Sequence, residues 1–266
     1  MLLMKRLFEK KLFSNKLFGK KKALLFGLNY TASEVGRLRG CVNDIKDMSV
    51  FLRGKGFEVE MYHDEDLDLV YGTTYDGIVR GIQRLAIASW KESLDAVVIH
   101  YSGHGYYIRD TSGDESDGYD ECLCPTDMDS NGVITDDYLH ELINSFNPKT
   151  RITVILDCCH SGSALDLPYC YKTSYDVVIE DKKCNVNVTM ISGCRDNQTS
   201  ADANFGTIYD KFSGALTKNL LDILKVQPNI LPINLLDILH STLKIQGFNQ
   251  LPIISSSKRI NDIKLF

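Results

Sequence analysis

The sequence predicts an α/β fold in which a mostly parallel sheet of about six strands is covered by helices on both faces. Three observations predict it. Apolar runs of strand length alternate with stretches of helical periodicity along the 266 residues, the order that specifies a parallel sheet between two helical layers. Two of the runs, from Asp95 to Tyr101 and from Ile152 to Leu156, are nearly continuous in apolar residues, as strands buried on both faces are. Each of the two then enters a glycine-bearing turn, Ser102-Gly-His-Gly105 and Asp157-Cys-Cys-His-Ser-Gly162, at the strand end where open α/β sheets place their ligand sites.

The elements follow in order. Lys22 to Leu28 reads as the first strand, entering a loop at Asn29. From Cys41 to Arg53, Val42, Ile45, Met48 and Phe51 or Leu52 recur at helical spacing, and Gly54 is a natural stop. A second strand spans Phe57 to Met61. Ile78, Ile82 and Leu85 mark a helix over Asp76 to Trp90, which leads into the strand ahead of His104. Asp136 to Ser145 is predicted helical, and the cysteine-bearing strand comes next. Val186 to Ser192 is a fifth strand, Lys211 to Lys225 and Ile233 to Leu243 are helices, and Leu251 to Ser255 is a sixth strand. The stretch between Asp166 and Asn185 reads as a loop.

A chain of this size with 44% hydrophobic residues can bury one sizeable core, and no Gly/Ser/Pro-rich linker divides it. The expectation is a single domain, 23–266, preceded by a basic arm or pro-segment, 1–22. That arm carries eight Lys/Arg against Glu9 alone, a net of +7, which leaves −12 for the rest of a chain whose total is −5. An acidic body suits a cationic ligand and argues against nucleic acid as a partner. No apolar stretch approaches the ~20 residues that span a bilayer. Eight cysteines without a secretory signal point to a reducing, cytoplasmic compartment. Cys122-Leu-Cys124 has the wrong spacing for a zinc knuckle.

His104 and Cys159 carry the chemistry. Delivered by neighbouring strands, an imidazole and a thiol form a dyad in which the imidazole lowers the thiol pKa and later protonates a leaving amine. The amides of Gly105 and Cys159 are the expected oxyanion donors. Either residue alone would read as a buried structural group; both, in glycine-flanked turns after matched strands, read as catalytic. Asp157 lies two residues before Cys159, and Cys41 and Asp44 share a helix face. Carboxylates converging beside a nucleophile would favour a guanidinium or ammonium side chain, although on spacing alone Asp44 reads as a solvated helix acid.

These residues resemble the metacaspases, cysteine peptidases of the caspase clan that cleave after arginine or lysine. His100-Tyr-Ser-Gly-His-Gly105 and Asp157-Cys-Cys-His-Ser-Gly162 look like the family's histidine and cysteine boxes, in the family's order and 55 residues apart at His104 and Cys159. Leu38 to Asp44, Ile191 to Cys194, Gln198 to Asp202, Gly214 to Thr217 and Gln250 to Ser255 match as well. The resemblance implies a caspase-like three-layer sandwich, Cys159 as nucleophile, and a specificity pocket at Cys41, Asp44, Ser102 and Asp157. It also implies a monomer, and a compact enzyme of the shorter-linker kind that could cut itself at Lys172, Lys182, Lys183 or in the basic arm. Animal caspases read aspartate through a basic pocket, and no comparable basic set occurs here.

Residues 110–137 hold ten acidic residues and no Lys or Arg, a density that calls for a counter-cation, with calcium the natural choice. Asp127-Met-Asp-Ser-Asn-Gly imitates an EF-hand loop, but its twelfth position is Tyr138, not glutamate, so that motif is rejected. The resemblance instead implies a calcium site at Asp120, Asp136, Asp137 and Asp166. The expected function is therefore a calcium-dependent cysteine endopeptidase acting on peptides with Arg or Lys before the scissile bond. A legumain-like or separase-like peptidase is the competing enzyme, and a caspase-fold pseudo-enzyme or calcium-binding regulatory scaffold is the competing class.

Overall fold

The computed structural model describes residues 19–33, 36–110, 113, 118–159, 164–180, 182–193, 202–204, 212–260 and 263–266. The basic arm up to residue 18, His160 to Ser163, the acids Asp114, Glu115 and Asp117, the matches from Cys194 to Ala201, and Lys211 lie outside the described residues. The first element is β1 (Lys21–Gly27), followed by α1 (Cys41–Gly54), β2 (Glu58–His63), α2 (Tyr75–Lys91), β3 (Ala96–Ser102), β4 (Gly105–Arg109) and β5 (Tyr119–Leu123). Then come α3 (Met128–Asn131), β6 (Ile134–Thr135), α4 (Asp136–Asn144), β7 (Arg151–Asp157), β8 (Tyr169–Tyr171), β9 (Val177–Ile179) and β10 (Asn187–Ser192). The chain closes with β11 (Asp202–Asn204), β12 (Phe212–Gly214), α5 (Ala215–Val226), α6 (Pro232–Ile245) and β13 (Ile253–Ser256).

Eight strands form the main sheet in the order β2-β1-β3-β7-β10-β13-β8-β9. β2, β1, β3, β7 and β10 run parallel, and the remaining three are antiparallel. Strand alternation sorts the side chains into two cores. Leu24, Phe26, Val97, Ile99, Val154 and Met190 meet α2 and α4 on one face. Ala23, Leu25, Val98, Ile155, Ile191 and Ile254 meet α1, α5 and α6 on the other. Parallel strands covered on both faces account for the continuous apolar runs, and each fully buried Leu or Ile in them contributes about 1.5–3 kcal/mol. Thr74 and Thr135 cap α2 and α4 by accepting the amides of Gly77 and Tyr138.

Three features differ from the sequence reading. The main sheet has two strands more than six, because the stretch read as a loop after Asp166 folds into β8 and β9. Part of the acidic run forms a separate antiparallel sheet, β4-β5-β6. The helix expected from Lys211 starts at Ala215, since Phe212 to Gly214 pair with β11 as β12. All the missed strands are antiparallel pieces of two to five residues, too short and too polar to show a period.

Candidate active site

β3 and β7 are parallel neighbours whose last paired residues are Ser102 and Asp157. His104 and Cys159 each follow two residues later, so the imidazole and the thiol leave the same edge of the sheet at the same level. The turns touch: the Gly103 amide donates to the Asp157 carbonyl at 3.4 Å. A Cβ on Gly105 would stand 2.0 Å from the Cys159 carbonyl oxygen and 3.2 Å from the Cys158 sulfur, so only glycine permits this approach. Cys158 is 1% exposed, whereas Cys159 is partly open to solvent and is the thiol a substrate can reach. Burial pushes Cys122 and Cys124 up to about 12, with the neighbouring thiols adding to it, so both remain inert thiols.

The His104 Nε2 bonds the carbonyl oxygen of Gly36. A carbonyl only accepts, so the ring proton sits on Nε2, and the Nδ1 lone pair is left to take a proton. This third partner carries no sequence signal: it is a backbone oxygen from a loop 68 residues upstream.

Beside the two turns lies a pair of buried carboxylates. Asp44 projects from the first turn of α1, is fully buried, and accepts the Ser102 hydroxyl at 2.7 Å, the Gly214 amide at 2.9 Å, and the Ser213 hydroxyl. Asp157 accepts the Thr217 amide at 2.8 Å. A Cβ on Gly214 would fall 2.1 Å from an Asp157 oxygen and 2.8 Å from an Asp44 oxygen, so this glycine lies between the two groups. Burial, and then the Asp157 charge, hold the Asp44 carboxyl well above the usual carboxylate range. Two buried acids this close suit a cationic side chain. Of the expected pocket residues, Asp44, Ser102 and Asp157 come together. Cys41 sits one turn earlier on α1, buried, its amide bonded to Asn29 Oδ1 at 3.1 Å. Ser213 and Thr217 were not read from the sequence; only Gly214 to Thr217, as a family match, hinted at this wall.

Asp136 and Asp137 open α4, and Asp166 reaches them from the loop after β7; one carboxylate oxygen from each lies within 4.8 Å of the others. Asp120, the fourth expected ligand, is buried on β5 next to Glu121, whose amide donates to Asp136 at 3.0 Å. Among the described residues the close carboxylate group is a triad without Asp120, because that residue stands on the adjoining strand, beyond the two-residue β6 pairing. The triad already attracts a cation, since the Lys182 ammonium bonds Asp166. Burial pushes Asp136 up to about 6, with Asp166 adding to it. Three carboxylates, each with an oxygen within 4.8 Å of the others, are a hard donor set that fits calcium.

An imidazole and a thiol at adjacent strand ends of a three-layer α/β sandwich define the caspase-like cysteine peptidases. Within that class the chain belongs to the metacaspase family, whose peptidase C14 domain matches residues 21–168. It is 34% identical to metacaspase-1 of Debaryomyces hansenii across 79% of this chain and 59% of that protein. It is 33% identical to metacaspase-1A of Neurospora crassa across 79% of this chain and 57% of that protein. The chain thus spans about three fifths of the length of these relatives. Among solved structures, a protein of Geobacter sulfurreducens superimposes with a TM-score of 0.64 at 25% identity, covering 91% of this chain and 95% of that one. Caspase-1 of Spodoptera frugiperda superimposes with a TM-score of 0.61 over 90% of this chain and 89% of its own, and at 12% identity that likeness is one of fold.

Proposed function

We propose that the chain is a calcium-dependent cysteine endopeptidase that cleaves after Arg or Lys, with Cys159 as nucleophile and His104 as general acid and base. The observation that carries this reading is the convergence, on one sheet edge, of an accessible thiol, an imidazole with Nδ1 free to accept, and the Asp44/Asp157 pair. Nδ1 of His104 takes the Cys159 proton, and the thiolate adds to the scissile carbonyl. The amides of Gly105 and Cys159 hold the resulting oxyanion. The imidazolium returns its proton to the amine as the C–N bond breaks. Water, deprotonated by His104, then hydrolyses the thioester and restores the thiol. A substrate guanidinium or ammonium between Asp44 and Asp157 lets both acids ionise, which a carboxylate or an amide could not do.

Asp136, Asp137 and Asp166, with Asp120 beside them, would hold calcium, which supplies positive charge that orders these acids and enters no bond-breaking step. Two further readings accompany this one. Lys172, Lys182 and Lys183 flank β8 and β9 and offer self-cleavage sites. β8 also covers β13 and leaves β9, only three residues long, as the edge of the sheet, a short edge that favours a monomer. No helix among the described residues is long and apolar enough to cross a membrane.

The test is hydrolysis of matched fluorogenic peptides ending in Arg, Lys, Asp or Asn, with and without millimolar calcium, beside Cys159→Ala. Calcium-stimulated cleavage after Arg or Lys that disappears in Cys159→Ala is the expected result. A folded, calcium-binding protein that cleaves none of the peptides would overturn the peptidase reading.

A further inference from the structure

We propose that Tyr30 is a positioning residue for His104: its ring and its hydroxyl together fix the imidazole opposite Cys159, an inference that rests on the His104/Cys159 dyad. The two rings lie 4.6 Å apart between centroids at a 34° tilt. The His104 amide donates to the Tyr30 hydroxyl at 2.8 Å. That hydroxyl donates in turn to the Cys124 carbonyl at 2.6 Å, and the Tyr101 hydroxyl donates to the His104 carbonyl at 2.8 Å. Two phenol protons thus meet two carbonyls, and the His104 backbone is held at both its N–H and its C=O. Burial holds both phenols well above their ordinary titration range, so neither donor is lost at any working pH.

Tyr30 adopts φ +55°, left-handed backbone that a bulky non-glycine residue rarely takes up. A single carboxylate enforces it. Asp64, just after β2, accepts the amides on either side, Asn29 at 2.8 Å and Thr31 at 2.8 Å, and its carbonyl accepts the Thr31 hydroxyl at 2.7 Å. A bulky residue kept in a strained conformation by bonds on both flanks, with its ring against an imidazole, is a placement that packing alone does not require. Asp64 therefore sets Tyr30, and Tyr30 sets His104.

The test pairs hydrolysis kinetics with the pH dependence of Cys159 alkylation by iodoacetamide. Tyr30→Phe keeps the ring and removes the hydroxyl. Expected are a fall in kcat of about tenfold, part of the roughly 10²–10⁴ that a positioned base contributes, a KM nearly unchanged, and an alkylation inflection moved to higher pH. Ser89→Ala, which deletes a buried hydroxyl bonded to Ala86 and Asn147 far from the dyad, controls for lost stability. Lower activity with an unmoved inflection, as Ser89→Ala would give, assigns Tyr30 a merely structural part and overturns the inference, as does unchanged kinetics. Should Tyr30→Phe fail to fold, Asp64→Ala disturbs Tyr30 while sparing the phenol, and an unmoved inflection there is equally fatal. His104→Ala separates the two levels. If it still cleaves, the dyad falls and this inference with it; if it is inactive, the Tyr30 result stands by itself.

Discussion

Asp44 shows how a single residue can trade stability for recognition. Its carboxyl is buried and bonded by Ser102, Ser213 and Gly214, yet burial and Asp157 keep its pKa above the ordinary range. A carboxyl raised in this way holds a proton in the folded chain that the unfolded chain releases, so stability falls as pH rises from the usual carboxylate range through the folded pKa. At neutral pH Asp44→Asn is therefore expected to raise the melting temperature, while kcat/KM for Arg and Lys peptides falls by about 10²-fold or more, the order of a lost buried ion pair. Calorimetry and peptide kinetics on one preparation check both. Retention of most Arg cleavage would remove Asp44 from the pocket. Gly105→Ala probes the neighbouring contact. A Cβ 2.0 Å from a backbone oxygen has no flexible side chain to displace, so the strand tips must part. The variant is expected to keep the fold and lose nearly all hydrolysis, and an active Gly105→Ala protein would show that the turns need not touch.

At the scale of elements, the sequence was legible where burial imposes a rule. β1, β3, β7 and β10 carry apolar runs because helices cover both their faces, and α1 and α2 show their buried stripes. β8, β9 and β12 do not, since strands of three residues have no room for a pattern. The site divides in the same way. His104, Cys159 and Asp157 stand in motifs, but the Gly36 carbonyl, the Ser213 hydroxyl and Tyr30 act through backbone atoms or across distances in sequence that no local spacing encodes. Lys182 belongs to the hidden set. It follows β9, bonds Asp166, and lies 3.7 Å from Glu180, so a metal binding the triad must displace a tethered cation. Lys182→Ala, made in a Cys159→Ala background to block self-cleavage, is expected to tighten calcium binding by about fivefold, the worth of a partly exposed ion pair near 1 kcal/mol. Titration calorimetry reads this directly. Unchanged or weaker binding would mean that Lys182 and calcium do not share the triad.

At the scale of the whole molecule, two buried titratable groups on the face of the sheet shared with α1 and α5 have opposite effects on stability. His100, fully buried on β3 with Nε2 3.1 Å from the Thr217 hydroxyl, is pushed down to about 3 by burial. The unfolded chain protonates this imidazole below about pH 6.5, while the folded chain does not until about 3. Stability from His100 is therefore present above pH 6.5 and is lost as pH falls through that window. Asp44 acts in reverse: its proton is held in the folded state, so acidification through its raised pKa adds stability. Asp136, pushed up to about 6 by burial, acts in the same sense as Asp44, and the measured slope is the balance of all three. Melting temperatures between pH 7.5 and pH 5 are expected to fall less steeply for His100→Gln than for the unmodified chain, and more steeply for Asp44→Asn, which loses one of the groups that oppose the histidine. A His100→Gln curve parallel to that of the unmodified protein would show that other groups govern acid unfolding. Opposite changes of slope in the two variants would place the acid response in the interior beside the dyad, where the same buried charges that select a substrate also set how the fold answers to protons.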